Sequence, residues 1–203
     1  MLSPPSRQRR TQRERSGATR AALVDAATAL FAERGYHGTP AELVVGRAGV
    51  TSGALYHHFG DKRGLFRAAF EAVERRLAAR VAAAAASGDG PWGRLERGVE
   101  EYLRACLEPE VRRMVLLDGP SVLGWEEWHA VDAAHHLRPL AAALGACMRA
   151  GLLERRPAVP LARVLLGALT EAGLAEVDDA EGARDTTLWL LRRLRSAPDP
   201  DRR

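Results

Sequence analysis

Residues 39–66 read TPAELVVGRAGVTSGALYHHFGDKRGLF, and this stretch decides the fold of the N-terminal part of the chain. Thr39 followed by Pro40 is a typical helix start, because threonine caps helices and proline suits the first helical position. That helix should stop at Gly49, which can adopt a left-handed backbone conformation. Thr51 is expected to cap a second short helix. Two short helices joined by so tight a turn predict a helix-turn-helix.

The second helix of such a unit presents its N-terminal residues to base edges in the major groove of DNA. Here those residues are Ser52, Gly53 and Ala54, which are small enough for close approach. An Ala-Gly-Val turn between helices also occurs in enzymes that never contact DNA, so the turn alone is a weak signal. Three later side chains have spacings that reach flanking phosphates: Tyr56, His57 and Lys62.

The flanking sequence adds one helix on each side of this unit. Upstream, apolar residues recur at spacings of three and four from Leu23 to Phe31, and Gly35 ends the pattern. Downstream, Asp61 is expected to cap a fourth helix that runs through Leu65, Phe66, Ala69, Val73 and Leu77.

Residues 20–66, about a quarter of the chain, resemble the DNA-binding domain of the TetR family of regulators. The pattern departs from the family in the second helix, where Val45 replaces a smaller residue. Gly46 weakens the same helix by about 1 kcal/mol. The residues that carry the resemblance are Leu23-Val24, Ala26-Ala27, Leu30-Phe31, Gly35-Tyr36, Thr39, Ala48-Gly49-Val50-Thr51, Gly53 to Phe59, Lys62 and Leu65-Phe66.

The resemblance implies a role for each matching residue. Lys62 stands out because it is the only lysine beside 29 arginines, and a compact charge at a helix N-terminus suits a phosphate. The implied DNA contacts are helix caps that donate to phosphates (Thr39, Thr51), residues against base edges (Ser52, Gly53, Ala54), contacts to the backbone or a thymine methyl (Tyr56, His57) and a phosphate contact (Lys62).

Charge is distributed unevenly along the chain. Residues 1–80 carry a net charge of +7, while residues 81–203 carry −3, so only the front half is suited to a polyanion. We expect a disordered basic arm over residues 1–16, whose arginines either enter the minor groove or neutralise phosphates. The DNA-binding domain is expected over residues 17–65.

No segment alternates with period two, so the fold class is expected to be all-α. We predict an N-terminal three-helix DNA-binding domain and, over residues 66–196, a helical bundle for ligand binding and dimerisation. A disordered tail should follow at 197–203. A Gly/Ser-rich stretch at 87–91 is a candidate boundary, and further helices are expected near 92–107, 110–117, 126–150, 160–177 and 182–195.

The last two predicted helices each carry an apolar stripe. The resemblance implies that these helices pair with a second subunit, although the stripes are also compatible with the core of a single chain. The stripes comprise Leu161, Val164, Leu165, Ala168, Leu169 and Ala172 on one helix and Leu188, Leu191 and Leu194 on the other.

A cluster of aromatic residues follows the predicted turn Asp118-Gly119-Pro120. These residues either line an effector pocket or are ordinary core aromatics. The candidate pocket comprises an apolar wall of Leu103, Cys106, Met114, Leu117, Trp125 and Trp128, with a polar edge from His129 or Asp132.

We expect neither a metal nor a cofactor. His129, Asp132 and His136 share one helical face, but no further ligand completes a coordination shell by spacing. Cys106 and Cys147 lack metal-site or redox spacing and are expected to be buried, reduced thiols.

The sequence therefore predicts a homodimeric, cytoplasmic, sequence-specific regulator of transcription. It is expected to be a repressor that a small-molecule effector releases from a palindromic operator in double-stranded DNA, with no membrane partner. One alternative is a nucleoid-type protein that coats DNA without an effector. A small helical enzyme is disfavoured, because no nucleophile-elbow, dinucleotide-loop or zinc-protease motif is present.

Overall fold

The structure is a computed structural model that describes residues 12–175 and 179–195. Those residues form helices and contain no β-strand, so the expected all-α fold class is confirmed. The α-helices are α1 (Gln12–Arg34), α2 (Ala41–Ala48), α3 (Ser52–Phe59), α4 (Lys62–Ala86), α5 (Gly90–Cys106), α6 (Pro109–Val111), α7 (Gly119–Leu123), α8 (Trp125–Asp132), α9 (Arg138–Arg149), α10 (Ala158–Leu174) and α11 (Ala180–Arg193).

Helices α1 to α3 form the N-terminal unit and pack against the start of α4. Its centre is apolar and largely aromatic, since the rings of Phe31 and Phe66 meet edge to face with centroids 5.2 Å apart. Leu23 and Leu55 are fully buried beside them. This core fixes the two short helices of the helix-turn-helix against the longer α1.

Helix α1 begins at Gln12, earlier than the sequence pattern indicated. Residues 12–16 were expected to belong to the disordered arm, but they are helical and exposed. Gln, Arg and Glu lose little side-chain freedom in a helix, so this polar segment extends the helix without burial. Arg13 and Arg15 are therefore on a helix, whereas Arg7, Arg9 and Arg10 lie outside the described residues. The expected tail at 197–203 also lies outside them.

Helix α4 is continuous and belongs to both parts of the chain. Phe66 packs in the N-terminal core, and Leu77 packs two turns beyond Phe70 in the same buried cluster. A domain boundary at residue 66 therefore falls inside a helix. The chain leaves α4 only at Ser87, where the Gly/Ser-rich stretch begins.

Two helical segments beyond α5 are wider than an α-helix. They are π-helical turns at Arg112–Asp118 and Ala133–Leu137, and each is followed two residues later by a proline. Pro120 and Pro139 each lack an N–H, and in an α-helix each ring would meet the carbonyl four residues back. A wider turn relieves that clash. The chain is therefore helical at Asp118-Gly119-Pro120, where a break was expected. The helix expected over 126–150 is interrupted by the π-helical turn at Ala133–Leu137.

Part of each apolar stripe on the last two helices faces into the same chain. Leu165 and Leu169 of α10 are buried, as are Leu188 and Leu191 of α11. Other members of the two stripes are exposed, among them Leu194 and Val164, which is 72% exposed. No helix among the described residues is long and apolar enough to cross a membrane.

Candidate nucleic-acid interface and adjoining cavities

The turn between α2 and α3 is built around Gly49, which has φ 66° and ψ 34°. Its N–H donates to the carbonyl of Gly46, and the N–H of Val50 donates to that of Val45. This pair of bonds is a Schellman motif, which requires a left-handed residue at the glycine position. The motif ends α2 abruptly and sets the angle at which α3 leaves.

Helix α3 is held by Leu55, which is fully buried, and exposes its opposite face. Thr51, Ser52 and Gly53 are exposed at its N-terminus, and Ala54 is half-buried. Thr51 occupies the capping position of α3, but its hydroxyl makes no capping hydrogen bond. The hydroxyl is therefore available to a partner.

The second half of α3 completes this exposed face. His57 is exposed, and Tyr56 is 53% exposed, which is unusual for so large a ring. Six of the expected DNA contacts thus lie together on the accessible side of α3: Thr51, Ser52, Gly53, Ala54, Tyr56 and His57.

Thr39 does not belong to this surface. Its side chain is fully buried, and its hydroxyl donates to the carbonyl of Gly35 at 2.8 Å. Helix α2 begins one residue later than expected, so Pro40 occupies the capping position. The expectation that Thr39 caps the helix is therefore wrong, and its burial argues against the expected phosphate contact. Thr39 instead ties the end of α1 to the start of α2.

Lys62 begins α4 and lies over an aromatic ring. Its Nζ is 4.1 Å from the centroid of Tyr36, a distance typical of a cation–π contact. Partial burial lowers the pKa of Lys62, while the charge of Glu42 opposes that change. This contact, which sequence reasoning missed, holds the ammonium group near the helix-turn-helix.

The N-terminus of α4 is joined to the C-terminal helices by charged side chains. Arg63 donates to the backbone carbonyl of Leu123 at 2.9 Å, and Arg67 pairs with Glu127 at 2.7 Å. The carboxylate of Glu127 also accepts from Arg63. Helix α8 thus contacts the helix that follows α3.

A cavity of about 210 Å³ lies between α8 and α10. Four of the expected pocket residues line it: Trp125, Trp128, His129 and Asp132. Trp128 is nearly buried and donates from its indole to the carbonyl of Val115 at 2.7 Å. Trp125 is 66% exposed and stacks on His129, so it forms the outer rim of the cavity.

The other four expected pocket residues do not reach this cavity. Leu103, Cys106 and Met114 are buried in the core, and Leu117 is half-exposed on a different face. The wider π-helical turn rotates this segment, so Leu116 faces the cavity in place of Leu117. An α-helical spacing could not predict that rotation.

A second, more apolar cavity of about 120 Å³ lies between α4, α5 and α9. Val99 and Tyr102 form part of its wall, together with His135 and His136. Leu166 of α10 borders both cavities. Sequence reasoning missed this cavity because its wall is assembled from residues far apart in the chain.

Three buried polar side chains separate the two cavities. Nε2 of His136 and Oε2 of Glu74 are hydrogen-bonded at 2.7 Å, and one metal-ligating atom from each of Glu74, Asp132 and His136 lies within 4.8 Å of the others. Burial raises the pKa of Asp132 to about 6, and the charge of Glu74 adds to this effect while His136 opposes it. Glu74 had no sequence signal, because it comes from α4, far along the chain from Asp132 and His136.

Comparison with known proteins matches both halves of the chain. A family profile described as bacterial regulatory proteins of the tetR family matches residues 23–69. A second profile, described as the C-terminal domain of tetracyclin repressor-like proteins, matches residues 92–197. The segments expected for DNA binding and for the helical bundle therefore each have a counterpart.

Individual relatives give the same result. The chain is 29% identical to the transposon Tn10 TetC protein of Escherichia coli over 60% of this chain and 61% of that one. It is 34% identical to the transcriptional repressor AcnR of Corynebacterium glutamicum over 46% of this chain and 43% of that one. The matched segments thus span about three fifths or less of these curated relatives.

One solved structure is similar over nearly the full length. A TetR-family transcriptional regulator from Pectobacterium atrosepticum superposes with a TM-score of 0.79 at 31% identity. The match covers 94% of this chain and 100% of that one.

Proposed function

The chain belongs to the TetR family of bacterial regulatory proteins, and from this premise we propose that it works as a homodimer that represses transcription at a palindromic operator until a small molecule binds. The family assignment confirms the prediction of a DNA-binding regulator and speaks against the enzyme alternative. The nucleoid-type alternative does not account for a C-terminal half that resembles tetracyclin repressors.

The exposed N-terminal face of α3 is the observation that carries this proposal. Ser52 and Gly53 offer no bulk to keep the helix away from base edges, while Tyr56 and His57 extend beyond it. In a helix-turn-helix these positions read the major groove. Lys62 and the arginines of the N-terminal segment supply contacts to phosphates, which add affinity without sequence preference.

Dimerisation is supported by an apolar surface on α10 and α11. Val164 and Leu194 line one surface groove together with Leu161, and Trp189 and Leu190 are about half exposed nearby on α11. Such exposed apolar side chains are typical of an interface. A second copy of the chain is the occupant we propose, because a two-fold dimer matches a palindromic operator.

The effector is proposed to bind in the cavity between α8 and α10. Its wall combines apolar rings with the polar groups of His129 and Asp132, which suits a mostly apolar molecule with one or two polar atoms. One side of α8 faces this cavity, and Glu127 on the same helix pairs with Arg63 and Arg67 of α4. A ligand that displaces α8 therefore acts on the helix that follows α3.

Footprinting on the DNA upstream of the gene tests the operator proposal. We expect a short, symmetric protected region, since two α3 helices contact two half-sites. Uniform protection that spreads with protein concentration would contradict it. For the effector, tryptophan fluorescence is followed during titration with small apolar compounds, in wild type and in Trp125→Phe and Trp128→Phe. A compound that releases DNA without changing either signal would contradict the proposed cavity.

A further inference from the structure

We infer that Glu74, Asp132 and His136 bind one divalent first-row transition-metal ion in each chain. The three side chains come from two separate segments, α4 and the α8–α9 region, and converge between the two cavities. All three are buried. This site goes beyond the operator and the organic effector proposed above.

The unpartnered atoms of the cluster point to a missing ligand. Oε1 of Glu74 and Oδ1 of Asp132 are buried and have no hydrogen-bond partner among the described residues. Buried polar atoms are normally hydrogen-bonded, because an unpaired one loses its water without compensation. Two such oxygens on neighbouring carboxylates call for a cation.

The charge balance supports the same conclusion. Within residues 12–175 and 179–195, Glu74 forms an ion pair with His136, and no arginine or lysine pairs with either carboxylate. Two carboxylates therefore share one imidazole. A divalent ion compensates this excess of negative charge, which is costly to bury unpaired.

The donor set indicates which ions fit. One imidazole nitrogen and two carboxylate oxygens suit manganese, iron or zinc, whereas calcium and magnesium favour all-oxygen sites and copper(I) favours sulfur. Tetrahedral ligation at about 2.1 Å places donor atoms roughly 3.4 Å apart. The donors here lie within 4.8 Å of one another, so an ion at the centre of the cluster would draw them closer together.

The remaining coordination positions face the cavities. Asp132 lines the cavity between α8 and α10, and His136 lines the apolar cavity beside Tyr102. Water or a polar atom of a bound molecule can complete the shell. Metal binding through Nε2 of His136 would replace its hydrogen bond to Glu74, because the ligating nitrogen must be free of hydrogen.

The test is metal binding by the full-length protein after treatment with chelator, without DNA, so that it is independent of the operator proposal. Zinc and cobalt(II) are titrated separately by calorimetry. We expect one equivalent per chain, and at least about tenfold weaker binding in Asp132→Asn and in His136→Gln, since even outer partners of a metal site contribute that much.

Matched controls come from the same segments. Glu71→Gln, one turn before Glu74, removes a surface carboxylate paired with Arg67, and His135→Gln changes the residue beside His136. Both should bind zinc like the wild type. Circular dichroism checks that each variant is folded. If His136→Gln does not fold, Asp132→Asn alone provides the test. Zinc should raise the melting temperature of the wild type but not of Asp132→Asn.

The spectrum of the cobalt(II) protein adds a separate criterion. We expect visible d–d bands but no intense near-ultraviolet thiolate band, because Cys106 is not among the ligands. An intense thiolate band, the absence of a stoichiometric site in the wild type, or undiminished binding in both variants would each overturn the assignment.

Discussion

The backbone N–H of Tyr36 donates a 2.8 Å hydrogen bond to the carboxylate of Asp118, and this bond joins residues 82 positions apart. Tyr36 lies in the connection between α1 and α2, and Asp118 ends the first π-helical turn. The bond therefore connects the DNA-binding unit directly to the segment that borders the α8–α10 cavity.

Asp118→Ala should lower the free energy of unfolding by about 1–3 kcal/mol, because it leaves a partly buried N–H without an acceptor. Asp118→Asn keeps an acceptor oxygen and should lose less than half as much. Urea unfolding followed by circular dichroism measures both. Equal stability of the two variants would show that the hydrogen bond contributes nothing.

Lys62→Ala should weaken operator binding and reduce the salt dependence of the binding constant by about one ion. The reason is that the Tyr36 ring holds the ammonium group at the start of α4. Fluorescence anisotropy at several salt concentrations measures this. Arg97→Ala, which removes an exposed charge on α5 paired with Glu100, is the control. A salt dependence in Lys62→Ala equal to that of the control contradicts the phosphate role.

Thr39→Val should destabilise the fold by about 1–3 kcal/mol without altering the salt dependence of DNA binding. Valine has nearly the same volume, but it cannot donate to the carbonyl of Gly35. Thr39→Ser, which keeps the hydroxyl, is the matched control. A reduced salt dependence in folded Thr39→Val would restore the phosphate contact that burial argues against.

Glu127→Gln should keep operator affinity but weaken the release of DNA by the effector. The change removes the charge that pairs with Arg63 and Arg67, and at a partly exposed site it costs less than about 1 kcal/mol of stability. Glu126→Gln changes the adjacent exposed carboxylate and should respond like the wild type. If both variants release DNA at the same effector concentration as the wild type, the ion pairs of Glu127 do not transmit the effector signal.

Asp132→Asn should stabilise the metal-free protein above pH 6 and have little effect below pH 4. The folded-state pKa is raised from 3.8 to about 6, so the wild type loses stability as pH rises through this window. The difference between these two pKa values corresponds to a change of up to about 3 kcal/mol in the free energy of unfolding. Thermal unfolding in chelator at several pH values measures it. A difference between the two proteins that does not vary with pH would contradict this origin.

The helix-turn-helix was predictable nearly to the residue because its signals are local. Gly49 marks the turn and Thr51 marks the start of α3, and both positions agree with the structure. Thr39 shows the limit of that reasoning. A threonine before a proline indicates a cap, but its burial depends on how α1 packs against α2.

The C-terminal half was predictable as helical and in the approximate bounds of α5, α10 and α11, but neither in its number of helices nor in which side chains face a cavity. Pro120 affects the backbone four residues before it and favours a wider helical turn, which changes the face that Leu117 presents. Glu74 illustrates a different limit. Its neighbours Asp132 and His136 are about 60 positions away, and only tertiary packing brings them together.

The continuity of α4 has a mechanical consequence. Lys62 and Glu74 are twelve residues apart on one unbroken helix, a length of roughly 18 Å at about 1.5 Å per residue. If α4 pivots near Glu74, a tilt of roughly ten degrees carries its first residue about 3 Å, the length of a hydrogen bond. In a two-fold dimer the N-terminal ends of both α4 helices would move at the same time. The distance between the two α3 helices would then no longer match the DNA helical repeat of about 34 Å.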